Sequence, residues 1–314
     1  MKKVVERLRG MGVPVALNEP LKKHCTWKIG GPADMYLRPT SVQEVARATA
    51  FLDEAQVPWM VVGQGSNLLF DDLGFRGAVL EMRSGLSGIE FDGDRVTVGA
   101  GTWMPCLARA TACAGLSGLE HAVGIPGAVG GVVVMNGGSL RHSLGDVVEW
   151  VRFVRGGDVF QIPRDECGFG YRRSVFQNGR DIVVAAGLRL TCRDRREVRR
   201  EMLDDLRVRR GKFPLKYPNC GSVFSNDPVI HSKWGPPGKV VESCGLKGLR
   251  LGNAMVSHKH ANFILNLGGA TSSDVIGLVQ AIRRVVAQVT GDFIPCEVRY
   301  VRPEGYVLPL DRIF

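Results

Sequence analysis

The sequence predicts an α+β fold. Helical and strand-like segments follow one another without the regular strand–helix–strand beat of a doubly wound sheet. A long stretch from Val147 to Leu190 is mostly β in pattern, in short runs. The 40 glycines cluster in short loops, which marks places where backbone approaches a ligand closely.

The elements can be justified in order. Residues 42–55 place Val42, Val45, Ala46, Thr49 and Leu52 at helical spacing behind Ser41, a suitable N-cap. The apolar strand Trp59-Met60-Val61-Val62 runs straight into Gly63-Gln64-Gly65-Ser66-Asn67. Residues 78–82 and 95–98 read as strands, with a turn at Asp92-Gly93-Asp94 between them, and residues 103–114 as a helix. Within the β stretch lie Val151-Arg152-Phe153-Val154 and Ile182-Val183-Val184. Residues 193–210 form an amphipathic helix with Val198, Met202 and Leu206 at spacings of four. Residues 213–268 are loop-rich, and a helix over 273–289, with Asp274 near its start, leads into the apolar run 293–298.

Composition is that of a globular chain of two or three domains: 314 residues, 45% hydrophobic and 23% charged. The eight cysteines form no C-x-x-C pair and read as reduced, mostly buried thiols of a cytoplasmic protein. Neither an apolar run behind the basic N-terminus nor a span of about 18 apolar residues is present, so no membrane partner is expected. Much of the net charge of +10 sits at 193–212, where Asp194, Glu197, Glu201, Asp204 and Asp205 are interleaved. That is a solvated helix face rather than a nucleic-acid patch, and no nucleic-acid-binding motif accompanies it.

Two glycine-rich loops invite an anion. The first, residues 63–69, follows a buried strand but lacks the third glycine of a dinucleotide fingerprint; on its residues alone an ordinary tight turn is the better reading. The second, Gly124-Ile125-Pro126-Gly127-Ala128-Val129-Gly130-Gly131, has four glycines within its eight residues ahead of a short helix, which favours pyrophosphate binding.

With these loops, the runs CTWKIGGPAD at 25–34, MNGG at 135–138, YRRS at 171–174, NCGSVF at 219–224, GLKG at 245–248, VSHKHANFI at 256–264 and CEVR at 296–299 stand in an order that resembles the UDP-N-acetylenolpyruvoylglucosamine reductase family, in its second type. The resemblance runs from about residue 20 to the C-terminus. It implies an FAD-binding fold of the p-cresol-methylhydroxylase and vanillyl-alcohol-oxidase (PCMH/VAO) kind: two α+β subdomains plus a C-terminal α+β substrate-binding domain. The corresponding divisions are 22–79 with the tail 297–314, then 80–210, then 211–296 for the UDP-sugar.

The implied activity is NADPH-dependent reduction of UDP-N-acetylglucosamine enolpyruvate to UDP-N-acetylmuramate, for peptidoglycan and the cell wall. The resemblance carries Gly63, Gly65, Ser66, Asn67, Gly124, Ile125, Gly130 and Gly131 over as FAD-binding residues, with dissociable FAD. Arg172, Ser222 and Glu297 match the catalytic positions; Tyr171, Lys212 and Asn226 match substrate-binding ones. Such chemistry needs a hydride source, cationic groups at the developing carboxylate-conjugated charge, and a proton donor. On the residues alone Ser222 reads as a turn hydroxyl, Arg172 as a surface arginine and Glu297 as an edge-strand carboxylate. Cys220 is expected to pack, and Arg173 to face solvent. His258 and His260, at i and i+2, lack a third ligand for a metal.

Three stretches depart from the family pattern: Asn253 in a turn that needs positive φ, Ser139-Leu140-Arg141-His142 after MNGG, and the longer segment 227–237. A flavin oxidase or dehydrogenase of the same fold acting on another substrate would keep the glycine loops without needing Arg172, Ser222 and Glu297 together.

Overall fold

A computed structural model describes residues 1–313, the side chain of Asn178 excepted. The chain forms two compact units, each discontinuous in sequence: residues 1–17, 35–64 and 78–209, and residues 18–34, 65–77 and 210–314.

The first unit holds helices α1 (Lys2–Gly10), α2 (Val42–Glu54), α3 (Met104–Ala114), α4 (Val129–Val134) and most of α5 (Arg195–Lys212). Its largest sheet is five-stranded and antiparallel, in the order Asp158–Pro163, Val148–Arg155, Ile182–Arg189, Arg95–Gly99 and Ile89–Asp92. Alternation sets its inner face: Val151 lies opposite Ala186, and Ala186 opposite Val98, all three buried. Against that face pack Leu107 and Ala108 of α3, Val129, Val132 and Val133 of α4, and Val198 and Met202 of α5. Polar α5 stays helical mainly through that burial, each apolar side chain contributing about 1.5–3 kcal/mol. Its exposed charges, such as Glu201, which pairs with Arg193 at 2.8 Å, are screened by solvent and add little.

Helix α2 begins as expected, with Ser41 Oγ accepting from the Glu44 N–H at 3.2 Å. Its buried face, Val45, Ala46, Ala48, Thr49 and Leu52, follows the helical period. Strand Trp59–Val62 pairs in parallel with Phe75–Glu81 through its residues 78–81.

The second unit contains α6 (Pro228–Trp234), α7 (Pro237–Ser243) and α8 (Ser272–Thr290). The segment expected as loop at 227–237 therefore folds into a helix, started by Asp227 Oδ1, which accepts from the N–H groups of Val229 and Ile230. A three-stranded antiparallel sheet joins Arg250–Leu251, Ala254–Val256 and Ile264–Asn266. Leu68–Phe70 runs parallel to Arg299–Val301. Helix α8 opens with a capping box between Thr271 and Asp274. Its first residue is also clamped by Asp72, whose carboxylate accepts from the Ser272 N–H and hydroxyl.

In the 252–254 turn, the left-handed position falls on Gly252 (φ 54°), not on Asn253, so the asparagine bears no strain. All eight cysteines are free thiols; Cys25, Cys167, Cys220 and Cys296 are buried, whereas Cys106, Cys113 and Cys192 are exposed, so burial is less general than expected. Among the described residues no helix is long and apolar enough to cross a membrane.

Candidate functional site

In the first unit the second glycine loop is fixed by main-chain bonds. Val129 N–H donates to Thr102 O at 2.9 Å, Gly130 N–H to Ala100 O at 2.8 Å, and Met104 N–H to Gly127 O at 2.9 Å. The glycines serve different ends. A Cβ on Gly63 would lie 2.9 Å from Ala128 Cβ, one on Gly130 2.9 Å from Ala100 Cβ, and one on Gly124 2.1 Å from Arg209 Cδ. These three let protein meet protein. A Cβ on Gly131, by contrast, would meet nothing within 4 Å, so its bare backbone faces open space where a ligand's phosphates could lie. Ile125, half-buried, packs on the unit's core and anchors the loop. The residues present fit a bound nucleotide.

Arg172 sits in a tight turn closed by paired bonds between Gly170 and Arg173, at 3.0 and 3.1 Å. Its backbone is left-handed, with φ 52°, which costs a non-glycine residue about 1–2 kcal/mol. Strain of this kind persists only where neighbours over-determine it. Arg172 Nη2 donates to Gly138 O at 3.3 Å, and its guanidinium lies 5.4 Å from the centre of the exposed Tyr171 ring. Arg173 is exposed, as expected.

Arg209 was not singled out by the sequence. It lies half-buried against Gly124, and desolvation, then repulsion by Arg172, lowers its pKa from the usual guanidinium value. Two guanidinium groups thus concentrate positive charge beside the glycine loop. The only sequence signal was a basic residue on the last turns of an amphipathic helix, and that signal is swamped by the arginines around it.

In the second unit, four of the motif runs converge. Gly65 (φ 59°) has no room for a side chain: a Cβ would lie 2.4 Å from His24 O and 2.7 Å from Cys25 Cα. Ser66, half-buried, follows it. Asn67 Nδ2 donates to Glu297 O at 3.1 Å, and Asn67 O accepts from Arg299 N–H at 3.0 Å. Glu297 N–H donates to Val223 O at 2.8 Å, which brings the backbone of Glu297 beside the residue that follows Ser222. Buried Asn262 clamps the other side: its Oδ1 accepts from Phe224 N–H at 2.8 Å, its Nδ2 donates to Phe224 O at 3.0 Å, and its carbonyl accepts from Val223 N–H at 2.9 Å.

Ser222 is thus a half-buried residue between Gly221, whose absent Cβ would face open space, and a pinned strand-like segment. The Cys220 thiol is buried, and burial, with the Glu297 charge adding to it, pushes its pKa well above the usual thiol range. It is a packing group, not a rival acid.

Asn226 Oδ1 is buried without a hydrogen-bond partner among the described residues. Lys212 is exposed, 5.7 Å from the centre of the Phe213 ring. Phe213 stacks on Phe263 at 5.0 Å and lies 5.3 Å from His260. Burial, then Lys212, lowers the His260 pKa, so this imidazole is a neutral packing group. His258 packs on Gly248. Among the described residues no cluster of three or more His, Cys, Asp or Glu side chains is placed to hold a metal. The shallow depression lined by Asp94, Asp146, Glu149 and Arg189 includes none of the expected site residues.

Residues 33–159 match the model of an FAD binding domain, and residues 213–301 match that of the UDP-N-acetylenolpyruvoylglucosamine reductase C-terminal domain. UDP-N-acetylenolpyruvoylglucosamine reductase 1 of Corynebacterium glutamicum is 41% identical over 93% of this chain and 88% of its own length. The reductase of Heliobacterium modesticaldum is 41% identical over 91% of this chain and 90% of its own. The crystal structure of the Thermus caldophilus enzyme superposes with a TM-score of 0.77 at 36% identity, covering 92% of this chain and 98% of that one. The match to an FAD binding domain and the reductase relatives define an FAD-dependent oxidoreductase. Within that class, the chain belongs to the UDP-N-acetylenolpyruvoylglucosamine reductase family.

Proposed function

We propose that the chain reduces UDP-N-acetylglucosamine enolpyruvate to UDP-N-acetylmuramate with NADPH as hydride donor, a cytoplasmic step in making peptidoglycan precursors. The observation that carries this reading beyond family membership is the pinning of Ser222 and Glu297 onto one framework, through Val223, Asn262 and Asn67. FAD, held without a covalent link by Gly63, Gly65, Ser66, Asn67, Gly124, Ile125, Gly130 and Gly131, supplies a ring that accepts and returns a hydride.

The chain's own residues have defined tasks. As the enolpyruvyl methylene gains a hydride, negative charge builds on the neighbouring carbon and its carboxylate. Arg172 offers a planar fork to that carboxylate, and its charge favours the enolate-like state. Ser222 gives its hydroxyl proton to the neighbouring carbon, and water later restores it. Glu297 orients the same group through a hydrogen bond. Lys212 and Asn226 take the diphosphate end of the UDP-sugar, and Tyr171 is a further substrate-binding residue. The functional division is into 22–79 with 297–314, 80–210, and a substrate domain at 211–296. The start of the C-terminal family match at residue 213 and the change of compact unit after Arg209 support the boundary at 210/211.

Anaerobic stopped-flow tests the proposal. Flavin reduced by stoichiometric NADPH is mixed with UDP-N-acetylglucosamine enolpyruvate. The oxidised spectrum should return rapidly in the wild type and about 10²–10⁴-fold more slowly in Ser222→Ala. Reduced flavin indifferent to this acceptor would overturn the function in favour of another substrate on the same fold. A protein that takes up no FAD would contradict the cofactor as well.

A further inference from the structure

We propose that Asn136 is a positioning residue for Arg172, tying the turn that carries the guanidinium to the end of the glycine-rich segment. The inference rests on the assignment of Arg172 to substrate reduction. Asn136 is buried, and both ends of its amide are engaged. Its Nδ2 donates to Gly170 O at 2.8 Å, at the base of the Arg172 turn, and its Oδ1 accepts from Gly145 N–H at 2.9 Å. Few side chains present a donor and an acceptor at that span, and asparagine also tolerates the left-handed backbone found here, with φ 41°.

The fit leaves no slack. A Cβ on Gly145 would lie 2.7 Å from Asn136 Oδ1 and 2.9 Å from the Phe169 ring. Three more bonds join the same two segments. Ser174 Oγ donates to Val134 O at 2.6 Å, Arg172 Nη2 donates to Gly138 O at 3.3 Å, and Gln177 Nε2 reaches Met135 Sδ at 3.5 Å. Gln177 Nε2 also donates to the carbonyl of Arg172 itself, at 2.8 Å. The turn that holds Arg172 in a strained conformation is therefore braced from residues 134–138, immediately beyond Gly130 and Gly131. Asn136 touches neither reacting group; it acts by aiming one that does.

The test separates positioning from mere stability. Asn136→Asp keeps the shape and the acceptor for Gly145 but turns an oxygen toward the Gly170 carbonyl. Reduction of the flavin by NADPH should stay within about twofold of wild type, while its reoxidation by UDP-N-acetylglucosamine enolpyruvate slows about 10- to 100-fold. In an Arg172→Ala background the same substitution should add no more than about twofold, because the group it aims is gone. Gln177→Met, which loses the donor to the Arg172 carbonyl, should slow the same half-reaction and spare the other. It decides the matter if Asn136→Asp fails to retain FAD. Equal slowing of both halves, wild-type rates in both, or slowing that multiplies with Arg172→Ala would overturn the inference. A wild-type flavin that ignores the acceptor would instead overturn the proposed function.

Discussion

Asn226 keeps a buried side-chain oxygen without a hydrogen-bond partner among the described residues, at a cost of about 1–3 kcal/mol to the unliganded protein. Asn226→Leu should therefore hold or raise the melting temperature while raising KM for the UDP-sugar about tenfold or more, which differential scanning and steady-state kinetics would read together. His121 shows the same tension in a titratable group. Its Nε2 is buried without a hydrogen-bond partner among the described residues, and burial, then His142, lowers its pKa to about 4, against the opposing pull of Glu120 and Asp146. The folded value lies below the unfolded one, so the unfolded chain binds the extra proton. Stability present above about pH 6.5 is then lost as pH falls toward 4, by roughly 3 kcal/mol in all, and changes no further below that. His121→Phe should remove this part of the pH dependence from urea midpoints taken between pH 7 and 4. Neither group was legible in the sequence, because an orphaned polar atom is a property of its surroundings. The glycines were half legible: their clustering marked close approach, but at Gly63, Gly124 and Gly130 what approaches is other protein.

Elements with strong local signals were read correctly from the chain. Helix α2 declared itself through Ser41 and its apolar period, α5 through Val198, Met202 and Leu206, and α8 through Asp274 near its start. Helices α6 and α7 escaped because each spans only two turns, too short for a periodic stripe, and each begins near prolines that read as loop. The strand Ile89–Asp92 escaped because its burial does not alternate. The hairpin that follows MNGG is an element whose sequence resists its shape. Leu140 and Arg141 occupy its tip at φ 53° and 68°, a two-residue turn that favours glycine or asparagine. Arg141→Gly should raise stability by about 1 kcal/mol, seen as a higher urea midpoint at unchanged slope. If the midpoint falls instead, the arginine makes contacts that outweigh the backbone strain.

At the scale of the whole molecule, function was legible through the order of many weak motifs rather than through any one of them. Two family models match separate stretches, residues 33–159 and 213–301. Because FAD binds the folded chain and not the unfolded one, stripping it should lower the melting temperature and adding it back should restore it. The effect amounts to about 4 kcal/mol when free FAD stands about 1,000-fold above its Kd. The two compact units interleave along the chain, which changes over after residues 17, 34, 64, 77 and 209. Synthesis runs from one end, and this gives the interleaving a consequence on the ribosome. By residue 209 the first unit has all of its chain, while the second has only 18–34 and 65–77. Leu68–Phe70 must wait for Arg299–Val301, and the Trp27 indole N–H for the Ile264 carbonyl. A nascent chain paused near residue 210 is a half with every segment it needs, carrying two internal segments whose later partners are not yet made, and these would be the places for a holding chaperone to act.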